Sequence, residues 1–284
     1  MVKKYAQRLK VIKPHNRLDV TPLGAARKIV IEFINFREHV LVLFQTKFQA
    51  KHHGSRLGTF WNYFFPIVPL IVYFVLGETK VFAAHTNDNN GIYICVGVTF
   101  WFMFAACLQI PIQTVQASSK EVMRAAVPLS VSIFSDFFDM IFETLVRSIL
   151  ILVMCMIFSD LALSKLGLFL ILLPIPIFFF TAVGLILSIM NIVLKDIDRI
   201  VRLITQYGIL ISGVIFPTPS VAGLNLMNEY NPFYIFIEIL RSTVFGHTTD
   251  LWWSLLVLCF LTALLVPISL QLFYKTEYAL REQI

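Results

Sequence analysis

Six apolar stretches, each near the length that crosses a bilayer, occupy most of this 284-residue chain and limit what it can fold into. A helix needs about 20 mostly apolar residues to cross the hydrocarbon layer. The spans read from the sequence lie near 57–77, 91–117, 132–158, 166–190, 200–216 and 251–273. The fifth is short and the third carries charge. With 58% of residues hydrophobic and 14% charged, little is left for a soluble domain. The expected fold class is therefore an all-α integral membrane domain at 57–273. A basic cytoplasmic tail (1–20) and an amphipathic interface helix with its hinge (21–56) precede it, and a cytoplasmic tail (274–284) follows.

Charge orients this scheme. The first 56 residues hold 12 Lys/Arg and lack the short apolar core and small-residue cleavage site of a secretory signal. Six spans with both termini inside place 19 Lys/Arg on the inner side, against Lys80, Lys165 and Arg241 outside, with Arg147 within a span. That asymmetry matches the positive-inside rule. The net charge of +6 sits mostly in the front segment, which suits anionic headgroups or a lipid phosphate better than nucleic acid. Cys95, Cys107, Cys155 and Cys259 are far apart in apolar runs, so neither a disulfide nor a metal site is expected.

Thr21 and Pro22 read as the start of a helix, Thr as N-cap and Pro in the first turn. Ile29, Phe33, Phe36, Val40, Phe44 and Phe48 then recur at helical spacing. The expected element lies on the cytoplasmic membrane surface with its apolar face in lipid. Glu32, Arg37, Glu38 and Lys47 argue against a span, since one charge at the bilayer centre costs about 3 kcal/mol. A polar hinge, residues 51–56 with adjacent His52 and His53, leads into an aromatic first span containing Pro66 and Pro69.

Polar residues inside the apolar stretches are the candidate functional groups. On the third span Asp136, Asp139, Glu143 and Arg147 share one helical face. Glu143 and Arg147 are four apart and are expected to form an intramembrane ion pair. Gln109, Gln113 and Gln116 line the inner end of the second span, either as interhelical hydrogen-bonding groups or as a wall for a sugar. Gly184 and Ser188 form a small-residue pair for close helix packing. Between the second and third spans, Ser118 to Pro128 form a short charged cytoplasmic segment. After Phe216, the stretch 217–250 is too broken to cross. Asn231 and Pro232 start a short helix there that is expected to dip into the membrane and return.

Four of these stretches carry a family resemblance. Gly54, Ser55, Arg56, Leu57, Gly58, Thr59, Phe60 and Trp61, then Pro66, resemble the start of the first span in the membrane subunit of type-2 ATP-binding-cassette exporters. Val127, Pro128 and Leu129 resemble the segment after that family's cytoplasmic coupling helix. Lys195, Asp196, Ile197, Asp198 and Arg199 resemble its loop between spans four and five, and Asn231, Pro232, Glu238 and Arg241 its outer re-entrant hairpin. The likeness, over about residues 25–275, is to the branch that exports lipid-linked polysaccharide: O-antigen, capsule and teichoic acid carriers.

The resemblance implies a bacterial inner-membrane subunit that pairs with a second copy and binds two separate ATPase subunits. The absence of G-x-x-x-x-G-K-[ST] fits that division, with ATP and Mg on the partner, no cofactor held by this chain and no catalytic residue. It implies that Lys120, Glu121 and Arg124 couple to the ATPase and that the front helix guards access for the carrier lipid. It also implies that the first and fifth spans line the conduit, and that Asn231, Pro232, Glu238 and Arg241 form an outer gate. Conduit candidates are Trp61, Tyr63, Phe64, Tyr73, Phe74, Gln109, Gln113 and Tyr207, because aromatic faces accept the C–H side of a sugar without demanding one hydroxyl pattern. Arg27, Lys28, Arg37, Lys47, Lys51 and Arg56 are the candidates for meeting the carrier's phosphate.

Three other readings stay open from sequence. One is a type-2 exporter of a drug, peptide or lipid. Another is a prenyl- or phosphatidyl-transferase using Asp196 and Asp198 with a metal. The third is an ion-coupled carrier using the acidic face of the third span.

Overall fold

A computed structural model describes residues 20–51, 57–58, 60–79, 90–118, 128–158, 166–215 and 228–282. Among them every regular element is helical: α1 (Pro22–Asn35), α2 (Arg37–Ala50), α3 (Phe60–Glu78), α4 (Asn90–Ser118), α5 (Leu129–Phe158), α6 (Leu166–Leu172), α7 (Pro174–Val193), α8 (Asp196–Ile211), α9 (Pro232–Phe245) and α10 (Trp252–Glu282). Five stretches of these residues are long and apolar enough to cross a membrane: Phe60–Glu78, Asn90–Ala117, Leu129–Ile157, Gly167–Val193 and Trp252–Glu277. The fourth joins α6 and α7 through a break at Leu173, where Pro174 opens the second helix.

The expected fifth span is the exception. It is realised as α8, 16 residues long, or about 24 Å at the helical rise. Asp196, Asp198, Arg199 and Arg202 occupy its first two turns, so its apolar run begins only after them.

α4 is the central helix. Its apolar window is 89% buried, against 17% for that of α5, and it packs against α3, α5, α7, α8 and α9. Aromatic rings fill the joint between α4, α7 and α9: Trp101 meets Phe233 at 4.4 Å, Phe180 meets Phe233 at 4.2 Å and Phe104 meets Phe180 at 5.2 Å between centroids. Gly184 permits the α4–α7 approach, since a Cβ there would stand 2.6 Å from the Leu108 carbonyl oxygen. With no hydrophobic drive between helices in lipid, such close contacts carry the packing.

The front segment corrects the sequence expectation in two ways. Thr21 does cap it, its hydroxyl accepting from the Gly24 N–H at 3.2 Å, but the helix bends at Phe36 (φ −107°, ψ 13°) into α1 and α2. The predicted apolar stripe also faces protein rather than lipid. Phe33 meets Phe134 at 4.8 Å, Phe44 meets Phe138 at 6.2 Å and Phe48 meets Phe142 at 4.9 Å. Residue numbers rise together on the two partners, so α2 runs alongside the N-terminal half of α5. The α5 phenylalanines recur every four residues and present a matching row of rings, which the front helix bends to follow. α1 also packs on α10, with Ala25 and Ile29 buried with Phe273 and Tyr274.

Candidate functional site

Where α2 lies on α5, a seam of alternating charge joins them. Lys47 Nζ is 2.5 Å from Asp136, and Lys51 Nζ is 2.9 Å from both Asp139 and Glu143. Glu143 also takes Arg147 Nη2 at 3.2 Å, the ion pair read from sequence. Asp136 accepts a further hydrogen bond from the Thr114 hydroxyl at 2.7 Å. Burial alone would lower the Lys51 pKa, but the hydrogen bonds and charges of Glu143 and Asp139 outweigh it and hold the group above its usual value. A cavity of about 400 Å³ opens beside the seam, lined by Lys47, Gln113, Thr114, Asp136, Asp139 and Glu143 over an apolar wall.

Each of the four charged groups on that α5 face thus has a partner. Lys47 and Lys51, expected at the phosphate-access rim, lie in this seam. Arg27 and Arg37 are exposed, and Lys28 sits over the Tyr274 ring at 5.2 Å. Arg56 and the coupling candidates Lys120, Glu121 and Arg124 lie outside the described residues, as does the tail to residue 19.

Several helices turn apolar faces outward from the protomer, α3 and α8 among them. On α3, Phe60, Tyr63, Phe64, Phe65, Ile71, Val72 and Val75 are exposed. Trp61 stacks on Phe65 at 5.1 Å, while Tyr63 also edges onto Phe142 at 5.3 Å. Tyr73 and Phe74 lean into the core. On α8 the exposed face runs Ile200, Leu203, Ile204, Tyr207, Leu210 and Ile211. Its opposite face, Val201, Thr205 and Ile209, is buried toward α4. Gln109 and Gln113 belong to that buried joint. Gln109 donates to the Thr205 hydroxyl and accepts from Gln113 Nε2 at 3.0 Å, and Trp101 Nε1 donates to the Thr205 carbonyl at 3.0 Å. This is the interhelical arrangement, with Gln113 also at the edge of the cavity.

Beyond α8, Asn231 caps α9, its side chain accepting from the Phe233 N–H at 3.0 Å. Pro232 follows in the first turn. Glu238 accepts from the Tyr93 hydroxyl at 2.9 Å. Arg241 is 1% exposed and lies over the Tyr93 ring at 4.0 Å. Sequence reasoning missed Tyr93, Gly97 and Thr205, partners of residues it did single out, and Trp101, which bonds to Thr205. For Tyr93, Gly97 and Thr205 the only sequence signal is a polar or small residue within an apolar run.

Asp196 and Asp198 do not converge. Asp196 pairs with Arg199 at 3.2 Å and is exposed, whereas Asp198 is held by Arg202 at 2.7 Å and is largely buried. Among the described residues no group of three His, Cys, Asp or Glu side chains is placed to hold a metal.

Five stretches of membrane-crossing length, the central α4 among them, with outward apolar faces and a bent front helix, make a multi-pass membrane protein. Residues 38–245 match the ABC-2 type transporter family, and the chain belongs to it. It is a transport permease and not itself a catalytic enzyme. The chain is similar to the O-antigen export system permease protein RfbA of Myxococcus xanthus, at 21% identity over 223 residues, 78% of this chain and 85% of that protein.

Proposed function

We propose that this chain is the transmembrane subunit of an exporter carrying lipid-linked polysaccharide, of O-antigen or capsular type, across a bacterial inner membrane. Two copies form the conduit and two separate cassette ATPases drive it. The observation that carries the reading is the match of residues 38–245 to the transporter family, together with likeness to an O-antigen export permease over most of both chains. The geometry supports it through the outward faces of α3 and α8. Both are exposed on the protomer, and both carry aromatic groups suited to sugar rings: Tyr63 and Phe64 on one, Tyr207 on the other. Conduit binding must be weak at each sugar for a polymer to advance, which aromatic contact provides.

In this reading α8 is the fifth of six spans, both termini are cytoplasmic, and α9 is the inner limb of a re-entrant hairpin. We place the inner boundary of the membrane at the charged seam, which lies where α3 begins: Tyr63 packs on Phe142, next to the Glu143 that pairs with Lys51. The front helix lies at that boundary. Lys120, Glu121 and Arg124 are assigned to the ATPase contact, and ATP and Mg to the partner.

The test is reconstitution of the chain with a cassette ATPase in lipid vesicles. Lipid-linked O-antigen or capsular glycan should stimulate ATP hydrolysis. Stimulation by a drug, peptide or lipid, with none by glycan, would transfer the chain to another branch of the same family.

A further inference from the structure

α8 ends inside the bundle. Its last helical residue, Ile211, is followed by Ser212, Gly213, Val214 and Ile215, all buried. α8 runs antiparallel to α4. Thr205 faces Trp101 and Gln109, and further along, the carbonyls of Gly213 and Val214 lie beside the guanidinium that occupies the space at Gly97. α4 continues outward from Gly97 to Asn90, so α8 stops about 10 Å short of the outer end of α4 at the helical rise. The chain that leaves a helix stopping there carries buried carbonyls past its last turn, those of Gly213 and Val214, which need donors from within the bundle.

Arg241 supplies the donors. Its Nη1 donates to the Gly213 carbonyl at 3.2 Å and its Nη2 to the Val214 carbonyl at 2.6 Å. The left-handed backbone at Gly213 (φ 63°) turns the chain at this point. A cation here also opposes the negative end of the α8 dipole. Its charge is met by Glu238 at 3.6 Å and by the Tyr93 ring face. A second tie from the same helix, Asn231 Nδ2 to the Ser212 hydroxyl at 2.9 Å, holds the preceding residue.

We propose that Arg241, supplied by α9, anchors the exit turn of α8 through the Gly213 and Val214 carbonyls, and that it is a positioning residue rather than a group that meets cargo. It sets where α8 ends, and thereby where the exposed face of Ile204, Tyr207 and Ile211 stands. α8 and α9 then move as one unit. Lysine cannot replace it, because a point ammonium cannot fork to two carbonyls while stacking on a ring.

The sequence provides a direct probe. The dipeptide Gly-Val occurs twice, at Gly97–Val98 and Gly213–Val214, one on each side of the guanidinium. The full chain in phospholipid nanodiscs, labelled with 13C at the glycine carbonyl and 15N on valine, gives two carbonyl–nitrogen correlations. In Arg241→Gln the Gly213 carbonyl should move upfield as it loses its donor. In Arg241→Lys it should move part of the way, and Tyr207 alkylation rates should change in both. If Arg241→Gln does not fold, Arg241→Lys decides alone. A Gly213 carbonyl at its wild-type position in the folded variant would overturn the proposal. The spectrum needs neither ATPase nor cargo, so it stands or falls independently of the transport reading.

Discussion

Gly97 leaves the space that the Arg241 guanidinium fills: a Cβ at position 97 would stand 1.7 Å from Nη2 and 2.5 Å from Cζ. No rotamer adjustment of a buried, doubly bonded arginine relieves that overlap cheaply. Gly97→Ala should therefore destabilise the chain, by about 1–3 kcal/mol if the core shifts to absorb a methyl group. Gly167, whose Cβ would meet nothing within 4 Å, is the control, and Gly167→Ala should be neutral or slightly stabilising in its helix. Thermal unfolding of the purified chain in detergent compares the two.

Glu143 and Arg147 should not respond alike to removal. Glu143 serves two cations, Lys51 and Arg147. Arg147 is buried, with its Nε directed to the Pro66 carbonyl and its guanidinium over Phe102. Glu143→Gln leaves a buried cation without its carboxylate, a change of about 3 kcal/mol. Arg147→Gln leaves Glu143 still paired with Lys51 and should cost less. Unfolding of both single variants and the double variant measures the difference; equal losses would contradict the bridging role.

The Lys47 and Lys51 pairs are half exposed, so each contributes only about 0.2–1 kcal/mol and weakens with salt. Lys47→Gln with Lys51→Gln should loosen α2 from α5 without unfolding the chain. A spin-label distance between Gln45 and Leu145 would broaden in that variant and, more weakly, in wild type at 1 M salt. The pH dependence follows from the raised Lys51 pKa. The attachment is complete below the usual lysine value of 10.5 and is lost only as pH rises through the higher value of the folded state. On the lysine side the distance should be constant from pH 7 to 9.

Much of the architecture was legible because membrane crossing imposes a long apolar run, and α3, α4, α5, α7 and α10 have one. The caps at Thr21 and Asn231 and the Glu143–Arg147 pair were legible too, because each is local in sequence. What was hidden is what depends on a distant partner. The phenylalanine stripe of the front helix has the spacing of a lipid-facing surface, and nothing local reveals that Phe134, Phe138 and Phe142 wait on α5. Lys47 and Lys51 read as free basic groups for the same reason. Arg241 read as an outer-gate residue, since its two carbonyl acceptors are 27 and 28 positions away.

If the outward aromatics carry sugar contacts, Tyr63→Leu and Tyr207→Leu should preserve folding and basal ATPase activity while lowering glycan-stimulated hydrolysis several-fold. Both side chains are exposed, so their removal leaves no core cavity. Stimulation unchanged in both variants would remove these faces from the conduit.

The central claim is that the chain transports only as a pair driven by separate ATPases. Native mass spectrometry of the complex released from membranes tests it most directly. The account predicts two copies of this chain with two cassette ATPase subunits. A single copy that moves lipid-linked glycan across a vesicle membrane with no ATPase bound would contradict it.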